Sequence, residues 1–413
     1  MHVLVYPHDL EIGGSQINAV DLAAAVAGAG HEVTVFGVPG PLNDRIEELG
    51  LTFREAPPPG RRPSAVVARA LVDEVRAHRF DLVHAYEWPP SMEALLGPGL
   101  ALGTPVVSTV MSMGVADFLP RTLPLIVGTR QIERVCLAAR RSNVRLLEPP
   151  IDTRENAPGS VPTGEFRSRW GLTPEDLNIV VVSRLAQELK REGLLEAVAA
   201  VGQLARGDRV RLLVVGDGPA RAELEAAAAS VNDTLGRDVV TLTGALMDPR
   251  PAYESADVVL GMGSSALRGM AFAKPLVVQG EAGFWSLLTN ETLPTFLEQG
   301  WYGIGPGGGG VERLASALRT LHADASLRRE LGDFARRVVC ERFGLDAALQ
   351  VQLASYANVL ARPKHRVAAA DLSRSLARLL AYKVKRKAER RAGTVAADDF
   401  NARSHQSLLA GPA

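Results

Sequence analysis

At 413 residues the chain is longer than one ordinary hydrophobic core supports and suits two domains with a tail. Hydrophobic residues at 46% and charged residues at 22% fit a globular protein, and no run approaches the roughly 18 to 20 apolar residues of a membrane-spanning helix. Two cysteines, Cys136 and Cys340, and eight histidines without metal-ligand spacing give no disulfide framework and no metal site.

The start, MHVLVYPHD, has no basic leader or cleavage site and reads as a first strand, so a cytoplasmic location is expected. Val3 to Tyr6 is a strand, Ser15 to Ala29 has helical apolar spacing, and Glu32 to Gly37 is a second strand. Helices are expected at Asn43 to Leu49 and Ser64 to His78, with strands at Leu82 to Ala85, Val106 to Val110 and Leu125 to Gly128. Prolines, glycines and polar residues then cluster from Glu148 to Gly164, which reads as a linker.

Alternation resumes with strand Ile179 to Ser183, helix Gly193 to Ala205, strand Arg211 to Val215 and helix Ala220 to Leu235. Strands at Val239 to Thr243, Val258 to Gly261 and Pro275 to Gln279 follow, with a helix around Ser265 to Ala273 before the last. Helices are expected at Val311 to Ala323, Ala325 to Phe343 and Leu345 to Leu360. Such alternation implies parallel strands with helical crossovers: an α/β protein of two doubly wound, Rossmann-like domains. The expected boundaries are 1–150 for the first domain, 151–164 for the linker and 165–343 for the second. A helix at 344–362 and a basic helical extension with a disordered tail at 363–413 would follow. Ligands in open α/β sheets bind at the carboxyl ends of the strands, so a cleft between the domains is the expected active site.

The formal net charge is zero, but between Pro363 and Ala392 ten Lys/Arg face two Asp/Glu. The body is therefore acidic, and nucleic acid is not an expected partner. The segment 372–391 has a leucine stripe followed by KVKRKAERR. It reads either as a solvated helix end or as a weak peripheral membrane contact.

Several residues could carry chemistry. Gly13 and Gly14 in HDLEIGGSQ let the backbone approach a ligand ahead of a helix N-terminus, unless they only make a tight turn. Arg184 ends a strand and Lys190 follows six residues on; two such cations can neutralise a diphosphate, the other reading being surface charge. In DLVHAYEWPP, Tyr86, Glu87 and Trp88 lie past a strand end and suit contact with a sugar acceptor, as does Asp117. His84 reads as a core histidine.

The succession GGSQ, SRLAQELKREGL, LLVVGDGPARAELE, LTGAL and LRGMAFAKPLVVQG resembles family 4 of the retaining glycosyltransferases, over roughly residues 1 to 360. The resemblance implies a GT-B fold and transfer of a sugar from a nucleoside diphosphate sugar to an acceptor hydroxyl (small molecule, glycan or lipid-linked), with no cofactor. It implies that Arg184 and Lys190 bind the donor diphosphate and act as the catalytic groups. It assigns Gly13 and Gly14 to the loop over the phosphates and the stretch Thr243 to Leu246, with Gly244, to the base. Glu281, Gly283 and Phe284 fall beside the sugar, while Gly216, Gly218 and Ser264 complete the donor set. The family's glutamate pair is missing: Leu260 and Arg268 stand at those places, and Met111 at or near a usual histidine. Arg268 would bind an altered donor or diphosphate, or point away and leave the ribose to Glu281. The remaining alternative is a silent GT-B protein acting as a nucleotide- or sugar-binding scaffold.

Overall fold

The computed structural model describes residues 1–139, 141–361 and 367–394. The chain forms two compact units, Met1–Pro150 together with the chain from Leu345 onward, and Ile151–Gly344.

In the first unit seven parallel strands pair in the order β3-β2-β1-β4-β5-β6-β7. They are β1 His2–Tyr6, β2 Glu32–Gly37, β3 Thr52–Glu55, β4 Leu82–Tyr86, β5 Val106–Val110, β6 Leu125–Val127 and β7 Val144–Leu146. Strands such as VLVY and VVSTV are buried on both faces, as a sheet covered by helices on each side requires. The sequence shows β1, β2, β4, β5 and β6; it hides β3 and β7, short edge strands whose residues stay largely exposed.

In the second unit the order is β10-β9-β8-β11-β12-β13. The strands are β8 Leu177–Val182, β9 Val210–Val215, β10 Val240–Gly244, β11 Val258–Gly261, β12 Leu276–Gln279 and β13 Trp285–Leu287. All pairings are parallel except β13 on β12. In both sheets the order reverses beside the first strand, between β1 and β4 and between β8 and β11. At such a switch point the flanking loops diverge to opposite faces and leave a crevice at the carboxyl edge.

Two expectations are corrected. The segment 151–164 is not a free linker. Ile151 N donates to Phe343 O at 2.8 Å, Gly159 N to Glu254 Oε2 at 2.7 Å, and Arg336 Nη1 to Asn156 O at 3.3 Å, all within the second unit. Likewise the helix Leu345–Leu360 belongs to the first unit, where the Tyr356 hydroxyl lies 2.7 Å from His84 Nδ1. His84 is fully buried, its other nitrogen 2.7 Å from Thr109 Oγ1, and burial pushes its pKa down to about 3. It is the neutral core histidine the sequence suggests.

The helix Ala369–Arg391 docks on the same unit. Thr122 N and Oγ1 donate to Asp371 Oδ2 at 2.9 and 2.8 Å, Ser375 Oγ donates to Phe118 O, and Leu379 enters the core. The tail expected to be disordered lies, from 395, outside the described residues.

Candidate active site

At the switch point of the second sheet, β8 runs out at Val182 into Ser183-Arg184-Leu185. The turn after β9 presses against this segment so closely that a Cβ on Gly216 would sit 1.9 Å from Ser183 O, and one on Gly218 2.6 Å from Leu185 O. Both glycines have positive φ, +141° and +153°, so no other residue fits. Leu185 N donates to Asp217 O and Ala220 N to Leu185 O, each at 2.9 Å, which fixes the direction in which Arg184 leaves the sheet.

The chain then turns through Leu189, held at φ +64°, and Lys190 N donates to Glu188 O at 2.8 Å. Gln279 Nε2, at the end of β12, donates to Lys190 O at 3.1 Å. Lys190 is half-buried, and burial together with the nearby positive charge of Arg184 pushes its ammonium down to about 8. Among the described residues no carboxylate answers that ammonium. A lysine ammonium held beside a second positive charge, with no carboxylate of its own, gains from binding an anion.

After β11 the chain passes through Gly263, at φ +60°, into the helix Ser264–Ala271, which carries Arg268 half-buried on one side. The positive charge of Arg268 is felt by the Tyr253 phenol, which burial raises well above its ordinary range. After β12, Glu281 accepts a short hydrogen bond from the Tyr302 hydroxyl, and Ala282 N donates to Glu192 Oε2 at 2.9 Å. Gly283, at φ +69°, is held by Arg313 Nε donating to its carbonyl at 2.8 Å.

At the first sheet's switch point, β4 is followed at once by Glu87, a non-glycine residue at φ +67°. Its buried carboxylate accepts from Ser15 Oγ at 3.2 Å, Met111 N at 2.9 Å, Ser112 N at 3.1 Å and Ser112 Oγ at 2.7 Å. One side chain thus ties the start of the helix Gly14–Gly28 to the loop after β5. The strained backbone of Glu87 is sustained by these four bonds. Beside it, after β1, stand His8 and Asp9.

Comparison with known proteins gives the same assignment for both halves. Residues 12–141 match the family described as Glycosyltransferase Family 4, and residues 176–324 match Glycosyl transferases group 1. The chain belongs to the glycosyltransferases of the GT-B fold. A 2-deoxystreptamine glucosyltransferase of Streptomyces kanamyceticus is 29% identical to this glycosyltransferase over 84% of the chain and 99% of the relative. An α-D-kanosaminyltransferase of the same organism is 28% identical over 49% of the chain and 51% of its own length. Among solved structures, a glycosyltransferase from Rickettsia africae superposes with a TM-score of 0.70 at 14% identity, covering 88% of this chain and 99% of that one. HepE from Anabaena in complex with UDP gives 0.66 at 15% identity, covering 87% of this chain and 100% of that one.

Several residues that the sequence offers to ligands have other work in this glycosyltransferase. Tyr86 is 1% exposed, its ring 4.5 Å from that of His84, so it is a core residue and not an acceptor contact. Glu87 organises two loops instead of meeting a sugar. Trp88 packs edge-on against Phe118 and Tyr382, with ring centroids at 5.1 and 5.9 Å. Asp117 is exposed, and its carbonyl accepts from Arg378 Nη1 at 3.1 Å.

In the second unit Gly216 and Gly218 act on the backbone of the Arg184 loop, Leu246 packs against the core, and Phe284 is half-buried over Gly303. Leu260 lies fully buried inside β11, so that place contributes no group to the edge. Arg184, Lys190, Gly244, Ser264, Arg268, Glu281 and Gly283 all lie at or just beyond the carboxyl ends of the second sheet's strands, and Gly13 and Gly14 open the first helix of the first unit. His8 and Asp9 escape a sequence search for motifs, although a polar pair straight after a buried first strand is a visible signal.

Proposed function

We propose that this glycosyltransferase takes a nucleoside diphosphate sugar as donor, holds its diphosphate with Arg184 and Lys190, and transfers the sugar with retention of configuration. The observation that carries the reading is the unanswered Lys190 ammonium beside Arg184 at the β8–β11 switch point. In the transfer the bond between the anomeric carbon and the diphosphate oxygen breaks, and its electron pair goes to the phosphate. Arg184 and Lys190 stabilise that growing charge. The acceptor oxygen bonds to the anomeric carbon on the face the diphosphate leaves, and its proton passes to the departing phosphate oxygen. Arg268 adds a third cation, on the helix that follows β11. A guanidinium cannot accept hydrogen bonds from a ribose, so it suits a phosphate, while Glu281 remains to accept from hydroxyls. UDP, bound by HepE, is the first nucleotide to try.

Two relatives are named for aminocyclitol and aminosugar chemistry, and the acceptor proposed here is accordingly an amine-bearing polyol. Calorimetric titration with UDP, GDP, ADP and TDP tests the donor site. One nucleotide should bind saturably, and Arg184→Ala should weaken it by about 10- to 100-fold, the worth of a charge-assisted contact. No binding by a folded sample would defeat the assignment.

A second property is favoured by the helix Ala369–Arg391. Leu376, Leu380 and Val384 are 39%, 67% and 67% exposed and lie four residues apart, on a face turned from the docked one. Lys387 and Arg391 extend the same line, and Lys383 and Arg390 flank it. Apolar side chains continued by cations suit the surface of an anionic bilayer. No helix among the described residues is long and apolar enough to cross one.

A further inference from the structure

The edge of the first sheet holds a titratable pair that the donor chemistry does not use. His8 Nε2 lies 2.9 Å from Asp9 Oδ2. Gln16 Nε2, on a side chain itself buried, donates to Asp9 Oδ1 at 2.7 Å, and Glu11 N donates to the same oxygen at 3.0 Å. A Cβ on Gly13 would stand 2.4 Å from Gln16 Oε1, so the glycine there leaves room for Gln16 to fold back onto Asp9.

The support runs deeper. Arg62 Nη2 donates to His8 O at 2.7 Å, and its other nitrogen is 3.8 Å from Glu93. Glu93 is fully buried and accepts from the Tyr6 hydroxyl and from Ser64 N, both at 2.7 Å. Buried charge of this kind is costly unless it is paired and bonded, and here it fixes the base of the His8–Asp9 turn.

A carboxylate offers about four lone-pair directions. Three of those on Asp9 are taken, and its side chain remains 39% exposed. Glu87, a second carboxylate at this switch point, is filled by four donors. Burial alone would raise the Asp9 carboxyl, but the bonds and charge from His8, with the bonds from Gln16 and Glu11 N, hold it at about 2, so it is charged throughout the working range.

We propose that Asp9 is the acceptor-binding carboxylate of this glycosyltransferase, taking an ammonium or hydroxyl of an amine-bearing polyol, with His8 and Gln16 as its positioning residues. The assignment rests on the acceptor class proposed above. An oriented carboxylate at the first sheet's crevice distinguishes an aminocyclitol from a neutral one by the charge-assisted bond it makes to the ammonium.

The test is calorimetric binding of 2-deoxystreptamine and of the amine-free cyclitol inositol to the full chain, with UDP as the donor-side control. Asp9→Asn should weaken 2-deoxystreptamine about 10- to 100-fold, change inositol little and leave UDP binding as in wild type. His8→Gln should shift the same ratio in the same direction, whereas a merely structural role would weaken both cyclitols alike. A melting curve identifies an Asp9→Asn protein that does not fold, and His8→Gln then carries the comparison. Wild-type protein that binds UDP but not 2-deoxystreptamine overturns the proposal, as does an Asp9→Asn protein that binds it as tightly as wild type. Loss of UDP binding alone overturns the donor reading and leaves this comparison standing.

Discussion

Lys190 sits close to the point where small changes in its surroundings decide its charge. Burial and Arg184 hold its ammonium at about 8, well below a free lysine, because the charged form is the one both disfavour. A bound diphosphate reverses the second cause and raises the pKa. At about pH 9 the free protein carries mostly neutral Lys190 while the complex carries the ammonium, so binding takes up close to one proton. Near pH 7 both forms are charged and uptake approaches zero. Calorimetry with UDP-glucose in two buffers of different ionisation enthalpy measures this directly, since the diphosphate diester does not titrate there. Equal uptake at both pH values, or uptake that survives Lys190→Met, would contradict the placement of the diphosphate on Lys190.

The residue scale is also where the sequence was least legible. That DLVHAYEWPP follows a strand is plain, but the direction of each side chain depends on a left-handed turn at Glu87 that no local rule demands of a glutamate. That turn sets the Glu87 carboxylate on Ser15, Met111 and Ser112, while Tyr86, still on the strand, points into the core beside His84. The positions of Arg184 and Lys190 in the fold were legible because each stands next to a strong backbone signal, a buried strand end and a helix start.

Among the elements, buried strands rich in β-branched residues and long helices could be read to within a residue or two, as with β2, β5, β11 and the helix Leu345–Leu360. Several short elements could not. Trp88–Ala94 and Arg250–Ser255 carry proline in the first turn, and β13 is a three-residue antiparallel edge strand that breaks the parallel rule. The helix Ala369–Arg391 shows what pattern alone leaves open: its leucines divide between two faces, with Leu379 buried and Leu376 and Leu380 exposed. If the exposed face meets anionic lipid, the protein should co-sediment with phosphatidylglycerol vesicles and not with phosphatidylcholine. Binding should fall steeply with salt, at about 1 kcal/mol per engaged cation. The combined Leu376→Ser, Leu380→Ser and Val384→Ser protein should lose most of that binding. Equal partition onto neutral vesicles, or none onto anionic ones at low salt, would leave the helix a purely structural clasp.

For the whole molecule, the alternation of strands and helices identified two Rossmann-like domains, yet where the helix Leu345–Leu360 belongs was not written in it. The helix Leu345–Leu360 returns to the first unit through Tyr356 and His84, residues 272 positions apart, a pairing no window of sequence reveals. The two switch points carry different groups: the Arg184–Lys190 pair at the second sheet's edge, Asp9 and Glu87 at the first's. That division is the basis for assigning donor to one unit and acceptor to the other. The most direct measurement is transfer itself, with UDP-, GDP-, ADP- and TDP-glucose each incubated with 2-deoxystreptamine and the product's anomeric proton read by NMR. One donor should yield an α-linked monoglucoside, and Arg184→Ala should abolish it. A β-linked product, or undiminished transfer by the variant, would contradict the account, as would no product from any donor.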